Sequence, residues 1–384
     1  MKKAIIMGFI LIAHTQLFAA TSIDTRDIAL TKLWEVGADA DSEVIFGVIS
    51  GIDVDTSGNV YVVDRQLTMV SRFSPEGEYL GPLGREGDGP GEYRRIGNIF
   101  ASGPEEMAVM QRMPGKIVTI TTNGLPGRTV ELPASLTETP AYFFSGQLAG
   151  DNVIILSNQF QRDGDRFSIV RSLVSISAAG AEIARLSEVH EETNLSEFKV
   201  EEKSQAPVLW TVAPNGHVYL NDDFDAYSIR HYDNAGQLVQ TIERPYEHRR
   251  RNSREMDENT PRMAVQSQDG DRVDAEGTPS PTDRDVQALF VRPDGALWVL
   301  TSRGAFDQAE GVLATLDVYP DGAEFSHQVV LHGEGDFHDD GLRLIGNRLF
   351  VLRGLRAAQL TSRGEGDESE NVIPMSIVCY DLGT

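Results

Sequence analysis

Six polar residues each follow a short apolar run directly and could form a binding site. The set mixes carboxylate, amide, hydroxyl and guanidinium groups, which suits hydrogen bonding to a polar ligand. The six are Asp64, Gln111, Ser157, Asp222, Thr301 and Arg353. In the fourth case Asn221 precedes Asp222, so the equivalent position is ambiguous by one residue. Strand ends are also polar simply because they meet water, so each residue has a structural explanation as well.

Metal-dependent or catalytic chemistry has weaker support. Asp64 and Asp222 could bind calcium or zinc, but Arg353 would repel a cation and no histidine joins the set. The segment His332–Asp340 (HGEGDFHDD) could hold a divalent cation, or it could be an exposed acidic junction. We find no nucleophile elbow and no phosphate-loop ending. We therefore expect no catalytic residue and no cofactor, with a channel metal as the alternative.

A repeated hairpin unit must position the six polar residues. Short runs rich in Val, Ile, Tyr and Phe alternate with turns rich in Gly, Pro, Asn and Asp, which is typical of antiparallel strands. The turn after the third strand of each unit ends on a glycine, and most are followed by a fourth strand. These glycines are Gly77, Gly124, Gly180, Gly236, Gly322 and Gly383. Six matched turns predict six four-stranded sheets.

The sixth unit lacks its fourth strand, and the start of the chain offers a replacement. Residues Ile28–Val36 (IALTKLWEV) resemble the other fourth strands. The sequence therefore predicts an all-β, six-bladed β-propeller over residues 28–384, with four-stranded antiparallel blades and a ring closed by an N-terminal strand. Such closure removes the exposed sheet edge of an open array. An ordinary β-sandwich would not explain the displaced strand.

Insertions accumulate on one predicted face. Connections between second and third strands share that face with the junctions between blades, and binding sites favour loops on a rigid scaffold. This face receives the glycine-rich junction Gly84–Tyr93, whose Arg85 could contact a ligand, and the charged excursion Glu188–Lys203. It also receives the long connection 244–285, in which we expect a short helix within 246–256 and a mobile stretch over Gln266–Asp285. A further insertion, Arg363–Asn371, is expected to be a solvated loop.

The unit resembles the NHL-type and related six-bladed β-propellers of exported bacterial proteins. The resemblance is carried by Asp53–Asp64 (DVDTSGNVYVVD), Phe73–Gly77 (FSPEG) and Gly84–Tyr93 (GREGDGPGEY). It implies the fold but leaves the activity open, because propellers host many unrelated functions. Propeller lactonases and amidating lyases are similar in fold and use carboxylate, Asn or His ligands at the channel mouth. The resemblance thus implies a metal-assisted hydrolase or lyase as the alternative function.

Composition restricts the partners. With 34 basic and 58 acidic residues, the formal charge is −24, which disfavours nucleic acid and anionic membranes as partners. Residues 1–20 carry two lysines, an apolar run and small residues, as a secretory signal peptide does, and predict a periplasmic or extracellular protein without a stable membrane span. The single cysteine, Cys379, can form no internal disulfide. We expect an exported, monomeric, non-enzymatic binding or scaffold propeller that recognises a peptide, glycan or protein on its loop-rich face.

Overall fold

Six sheets follow one another along the chain, five of four strands and one of five. A computed structural model describes residues 23–38, 44–194, 200–266, 272–320, 322–363 and 375–383. Each sheet is antiparallel in its first four strands, and each places its first strand against a common central channel. The predicted six-bladed β-propeller is therefore confirmed.

Blades one to three are formed by consecutive strands. Their bounds are Ile49–Val54, Val60–Asp64, Met69–Phe73 and Tyr79–Pro82 in blade one, Ile96–Gly103, Glu106–Arg112, Gly115–Thr121 and Pro126–Glu131 in blade two, and Ala141–Ala149, Asn152–Asp163, Arg166–Ser177 and Glu182–Asn194 in blade three. A short parallel pair, Arg85–Glu86 with Glu92–Tyr93, lies in the junction after blade one.

Blades four to six include the two N-terminal strands. Their bounds are Leu209–Val212, Val218–Asn221, Ser228–Tyr232 and Leu238–Glu243 in blade four, Val286–Val291, Leu297–Thr301, Val312–Tyr319, His327–His332 and Thr25–Ala29 in blade five, and Gly341–Ile345, Arg348–Arg353, Ser376–Asp381 and Thr31–Val36 in blade six. Five short helices complete the described structure: α1 (Ala134–Thr137), α2 (Glu202–Gln205), α3 (Ser253–Glu258), α4 (Ser302–Phe306) and α5 (Leu355–Arg363).

The N-terminal segment closes the ring, as predicted, but it serves two blades. Thr31–Val36 pairs antiparallel with Ser376–Asp381 and supplies the fourth strand of blade six. Thr25–Ala29 instead pairs parallel with His327–His332 and adds a fifth strand to blade five. The predicted strand Ile28–Val36 is thus divided at Leu30, which separates the two pairings.

The hydrophobic core is divided among the six interfaces between neighbouring blades. Each cluster of buried apolar side chains takes members from two adjacent sheets, for example Trp34 and Phe350 of blade six with Phe73 of blade one. The apolar side chains of both sheet faces lie between neighbouring blades, so central strands such as Val60–Asp64 are buried along their whole length. The packed ring provides the rigid scaffold on which the connections rest.

Blade three is longer than the sequence predicts. Its second strand does not end at Ser157 but continues to Asp163, and residues 188–194, predicted as an excursion, continue its fourth strand. Phe160 explains part of the extension, since its ring stacks on Phe167 at 6.1 Å and meets Tyr142 edge-on at 5.6 Å. Residues 195–199 lie outside the described residues.

The connection between blades four and five contains regular structure. The expected helix is α3, and Asn252 caps it through a reciprocal capping box with Glu255. Strands Arg262–Gln266 and Arg272–Glu276 then form a two-stranded sheet, which the sequence did not predict. Residues 267–271 and most of the predicted loop 363–371 lie outside the described residues. Mobility of this connection stays a prediction.

No helix in the described ranges is long and apolar enough to cross a membrane.

Candidate functional site

The structure gives each of the six predicted polar residues its own local partners. Asp64 is buried, and its carboxylate accepts hydrogen bonds from four backbone N–H groups. The donors are Gly47 at 2.6 Å, Val48 at 3.2 Å, Gln66 at 2.9 Å and Leu67 at 3.0 Å. Gln111 is likewise buried, accepts from the backbone of Arg94 at 2.8 Å and donates to the carbonyl of Pro114 at 2.7 Å. Both side chains hold loops in place.

The remaining predicted residues are similarly engaged. Thr301 accepts from the backbone of Gly304 at 3.1 Å and caps α4. Asn221 ends the second strand of blade four, so the ambiguity at this position resolves in its favour, and Asp222 lies one residue beyond. Asp222 accepts from Ser187 at 2.6 Å and pairs with Arg230.

Ser157, Arg353 and Arg85 complete the predicted set. Ser157 is buried within its strand, and its hydroxyl has no hydrogen-bond partner in the described part of the chain. Arg353 pairs with Glu334 at 3.0 Å and Glu35 at 3.5 Å, and the exposed Arg85 pairs with Glu92 at 2.5 Å. No two of the predicted residues share a hydrogen-bond or ion-pair partner among the described residues. Their role in binding stays a prediction.

The central channel has a volume of about 450 Å³ and is lined by the first strands of all six blades. Its polar side chains include Asp53 and Arg343. Burial raises the pKa of Asp53 to about 6, although the backbone N–H groups of Ala101 and Val54 oppose this by donating to its carboxylate at 2.7 and 2.8 Å. Within the described ranges, no three His, Cys, Asp or Glu residues are placed to hold a metal ion together.

Two adjoining cavities lie on the loop-rich face and form what we call the loop-face cleft. The inner cavity has a volume of about 300 Å³ and the outer one about 440 Å³. Five residues line both: Glu202, Gln205, Asn259, His338 and Arg356. The inner cavity also shares Leu209 and Gln287 with the channel, so the cleft extends over the channel mouth.

The cleft is built from blade connections. Most of its residues come from α2 between blades three and four, the insertion between blades four and five, the junction between blades five and six, and α5, and α4 adds Phe306. The sequence identified most of these segments as insertions on one face, but of the cleft residues it singled out only those of the acidic segment His332–Asp340, such as His338 and Asp339. Unusual length was the available signal, whereas the meeting of the four segments depends on the closed ring.

Buried ion pairs hold the cleft walls. Arg251 donates to Glu202 at 2.5 and 2.8 Å and to Asp283 at 2.6 Å. Arg249 pairs with Asp283 at 2.5 Å and Glu255 at 2.7 Å. Burial alone would lower the pKa of each arginine, but the carboxylates paired with it outweigh that effect and raise the pKa of both. Both arginines therefore remain charged. Such geometry fixes the insertion against α2.

The inner cavity combines an aromatic wall with a buried cation. Phe306 meets Phe337 edge-on at 5.5 Å, and its ring lies 4.6 Å from that of His338. Arg284 is only 6% exposed, and burial lowers its pKa to about 10. Its terminal nitrogens donate to the backbone carbonyl of Asn221 at 2.8 Å, to that residue's side-chain oxygen at 2.6 Å and to the carbonyl of Pro207.

Comparisons with known proteins agree with this fold. Residues 39–176 match a family model described as a 6-bladed beta-propeller. No curated protein matches the sequence. A solved structure of a duf4221 family member from Bacteroides vulgatus is 9% identical, with 92% of this chain and 98% of that chain covered and a TM-score of 0.51.

Two further solved structures are similar over most of their length. A putative exported protein from Bacteroides fragilis is 12% identical, covering 94% of this chain and 100% of that chain, with a TM-score of 0.49. Virginiamycin B lyase from Staphylococcus aureus is 12% identical, covering 91% and 99%, with a TM-score of 0.43. At such low identity the likeness concerns the fold alone. The chain is a six-bladed β-propeller whose last blade is completed by its own N-terminal strand.

Proposed function

We propose that this protein is a binding propeller and that the loop-face cleft is its ligand site. The observation that carries the proposal is a pair of largely enclosed arginines around one cavity: Arg251 joins the insertion to Glu202 of α2, and Arg249 joins it to Asp307 after α4. Burying charged groups is costly unless each is paired, and such groups specify one arrangement when they are satisfied. The closed ring is already stabilised by its six apolar interfaces, so this network serves the shape of the cleft.

The ligand that fits this cleft best is an extended peptide. Two adjoining cavities accommodate an elongated molecule better than a compact one. The amides of Gln205 and Asn259, which line both cavities, can hydrogen-bond to peptide N–H and C=O groups. The outer cavity presents carboxylates of Glu258, Asp339 and Asp340, whereas the inner cavity, beside its paired charges, holds aromatic rings and two arginines without a carboxylate partner among the described residues. The ends of the ligand therefore meet opposite charges.

Affinity selection tests this proposal. The whole protein is incubated with a soluble mixture of synthetic hexapeptides, half with a free C-terminal carboxylate and half amidated, and retained peptides are identified by mass spectrometry. We expect a retained set that is lost in the variant Asn259→Ala. The matched control is Arg128→Gln, because Arg128 lies on the opposite face, where it contacts the carbonyl of Ala178 at 3.1 Å. Retention that survives Asn259→Ala, or glycan-array binding in place of peptide binding, would overturn the proposal.

We further propose that the protein is exported, on the basis of Lys2, Lys3 and the apolar run Ala4–Ala13. Expression in a bacterial host and intact-mass measurement of the periplasmic fraction tests this. A mature form that begins near residue 20 is expected. Retention of the full-length chain in the cytosol would contradict the proposal.

A further inference from the structure

Two arginines of the cleft lack a paired carboxylate, although the cleft lining as a whole holds six carboxylates and four arginines. Arg251 and the neighbouring Arg249 are paired with carboxylates, but Arg284 and Arg356 form no ion pair within the described part of the chain. Both line the inner cavity.

Arg284 supplies a fixed charge. Its terminal nitrogens are occupied by neutral acceptors, and its Nε has no hydrogen-bond partner in the described part of the chain. Asp222 and Asp223 act on its charge from nearby but form no ion pair with it, and an anion bound in the cavity would stabilise the buried cation further, because charges interact strongly where water is excluded. The inner cavity is therefore favourable for negative charge.

Arg356 supplies the direct contact. It is half-buried and lines both cavities, and a single terminal nitrogen, Nη2, donates to the carbonyl of Glu258 at 2.7 Å. Its other guanidinium hydrogens have no partner among the described residues. A guanidinium group can donate two parallel hydrogen bonds to a carboxylate, a geometry that an amide cannot accept equally well.

The aromatic wall favours a ligand whose carboxylate belongs to an apolar residue. Phe306 and Phe337 present apolar surface next to the two arginines, and Phe224 lines the same cavity. The volume of about 300 Å³ is at the lower end of small-molecule sites and suits one side chain rather than several. An apolar residue and its own carboxylate together match these two surfaces.

We propose that the inner cavity binds the C-terminal carboxylate of a peptide whose last residue is apolar. This inference rests on the proposed function and assigns the direction of the bound peptide: its C-terminus lies at Arg356 and Arg284, and the preceding residues extend along the outer cavity. Positive groups of those residues would meet Glu258 and Asp339. The ligand class is thus free-acid peptides rather than internal sequences of folded proteins.

The test uses matched synthetic peptides taken from the retained set. Each hexapeptide is prepared as the free acid, as the C-terminal amide, and as a free acid with glycine in place of its last residue. Affinities are measured by isothermal titration calorimetry with the whole protein. We expect the amide and the glycine peptide each to bind about tenfold more weakly than the parent, as expected for loss of a charged hydrogen bond or of buried apolar area.

Two variants locate the effect. In Arg356→Gln, the preference for the free acid over the amide should shrink well below tenfold, because only the indirect charge of Arg284 remains, whereas Arg128→Gln should preserve the tenfold difference. Equal binding of acid and amide to the unmodified protein would overturn this inference and leave the proposed peptide site standing. If no hexapeptide is retained at all, the proposed function itself fails. An undiminished tenfold preference for the free acid in Arg356→Gln would also contradict the assignment.

Discussion

Arg251 and Glu202 form a two-point ion pair between the insertion after blade four and helix α2 before it. The guanidinium Nη1 and Nη2 lie 2.5 and 2.8 Å from the two carboxylate oxygens, and the Arg251 side chain is 6% exposed. Breaking a fully buried pair costs about 3–5 kcal/mol, and we expect a smaller cost here because Arg251 keeps its contact with Asp283. Because the pair joins two connections rather than two strands of the core, we expect that cost to appear locally.

Glu202→Gln should therefore open the insertion without unfolding the ring. Hydrogen exchange and limited proteolysis should show faster exchange and new cleavage within 244–285. The thermal midpoint should change little. Asp225→Asn is the control, since it breaks the neighbouring ion pair between Asp225 and Lys203. The side chains of Lys203 and Asp225 are 41% and 43% exposed, and such surface pairs contribute at most about 1 kcal/mol. Equal protection of the insertion in both variants would argue against a role for Glu202 in shaping the cleft.

Asp64→Ala should destabilise the protein rather than alter its ligand specificity. The substitution leaves four backbone N–H groups of blade one without their acceptor. Gln66 and Leu67 are exposed, so water can replace the acceptor there, whereas an unsatisfied buried donor such as that of Val48 costs about 1–3 kcal/mol. Chemical denaturation should show a loss of about 1–3 kcal/mol. The folded fraction should retain its hexapeptide affinity. A variant of normal stability that no longer binds would place Asp64 in the ligand site instead.

Trp34→Ala should weaken ring closure. The indole belongs to the closing strand, is 8% exposed, donates to the carbonyl of Pro75 at 3.0 Å and stacks near Phe73. Truncation of a buried aromatic residue costs about 3–5 kcal/mol. Leu33→Ala is the matched control, because the adjacent Leu33 is 45% exposed and a surface change costs about 0.5 kcal/mol or less. Similar denaturation midpoints for the two variants would be inconsistent with closure by this strand.

Alanine substitutions at two hairpin glycines allow the cost of backbone strain to be measured apart from the cost of steric contact. Gly124 and Gly180 have φ of +89° and +86°, so alanine at either costs about 1–2 kcal/mol through its left-handed conformation. A Cβ at Gly180 would lie 2.2 Å from the carbonyl oxygen of Glu131 in the neighbouring blade, whereas a Cβ at Gly124 meets nothing within 4 Å. Gly180→Ala should therefore lower the free energy of unfolding more than Gly124→Ala. Equal losses would show that the interface between blades two and three shifts to accommodate the added methyl group without a further cost.

A histidine pair should make stability depend on pH. The Nδ1 of His217 lies 2.8 Å from the Nε2 of His231, and the ring of His231 stacks on Tyr219. Burial, and then the charge of His217, lower the pKa of His231, while Asp233 opposes them. The unfolded chain thus binds more protons, so stability is complete above about pH 6.5 and falls as the pH drops below that value.

Thermal midpoints measured between pH 8 and pH 5 should therefore decline in the acidic part of the range. His231→Gln should flatten part of that decline. His190→Gln is the control, since His190 is exposed on blade three and pairs only with Glu188 at 2.7 Å among the described residues. A decline that is unchanged in His231→Gln would assign the pH dependence to other groups.

Much of the fold could be predicted because its signals are local. Each hairpin carries its own alternation and its own turn glycine, and all six predicted glycines have positive φ in the structure. The displaced strand was visible for the same reason, since Thr31–Val36 has the pattern of a fourth strand wherever it stands in the chain. The full length of the blade-three strands was not predicted, because their outer halves are rich in polar residues. The pairing of those residues across the sheet leaves no local pattern in the sequence.

By itself, the sequence determined the number of blades, the turns, the closing strand and the face that carries the insertions. Tertiary structure alone decided how those insertions meet. Arg251 and Glu202 are 49 residues apart, and no periodicity or turn signal relates them. They become neighbours because ring closure holds consecutive blades side by side and their long connections share one face. The same closure turns Asp64 towards backbone donors and leaves Arg284 and Arg356 without a carboxylate partner among the described residues, because side-chain partners depend on packing between segments rather than on residue type.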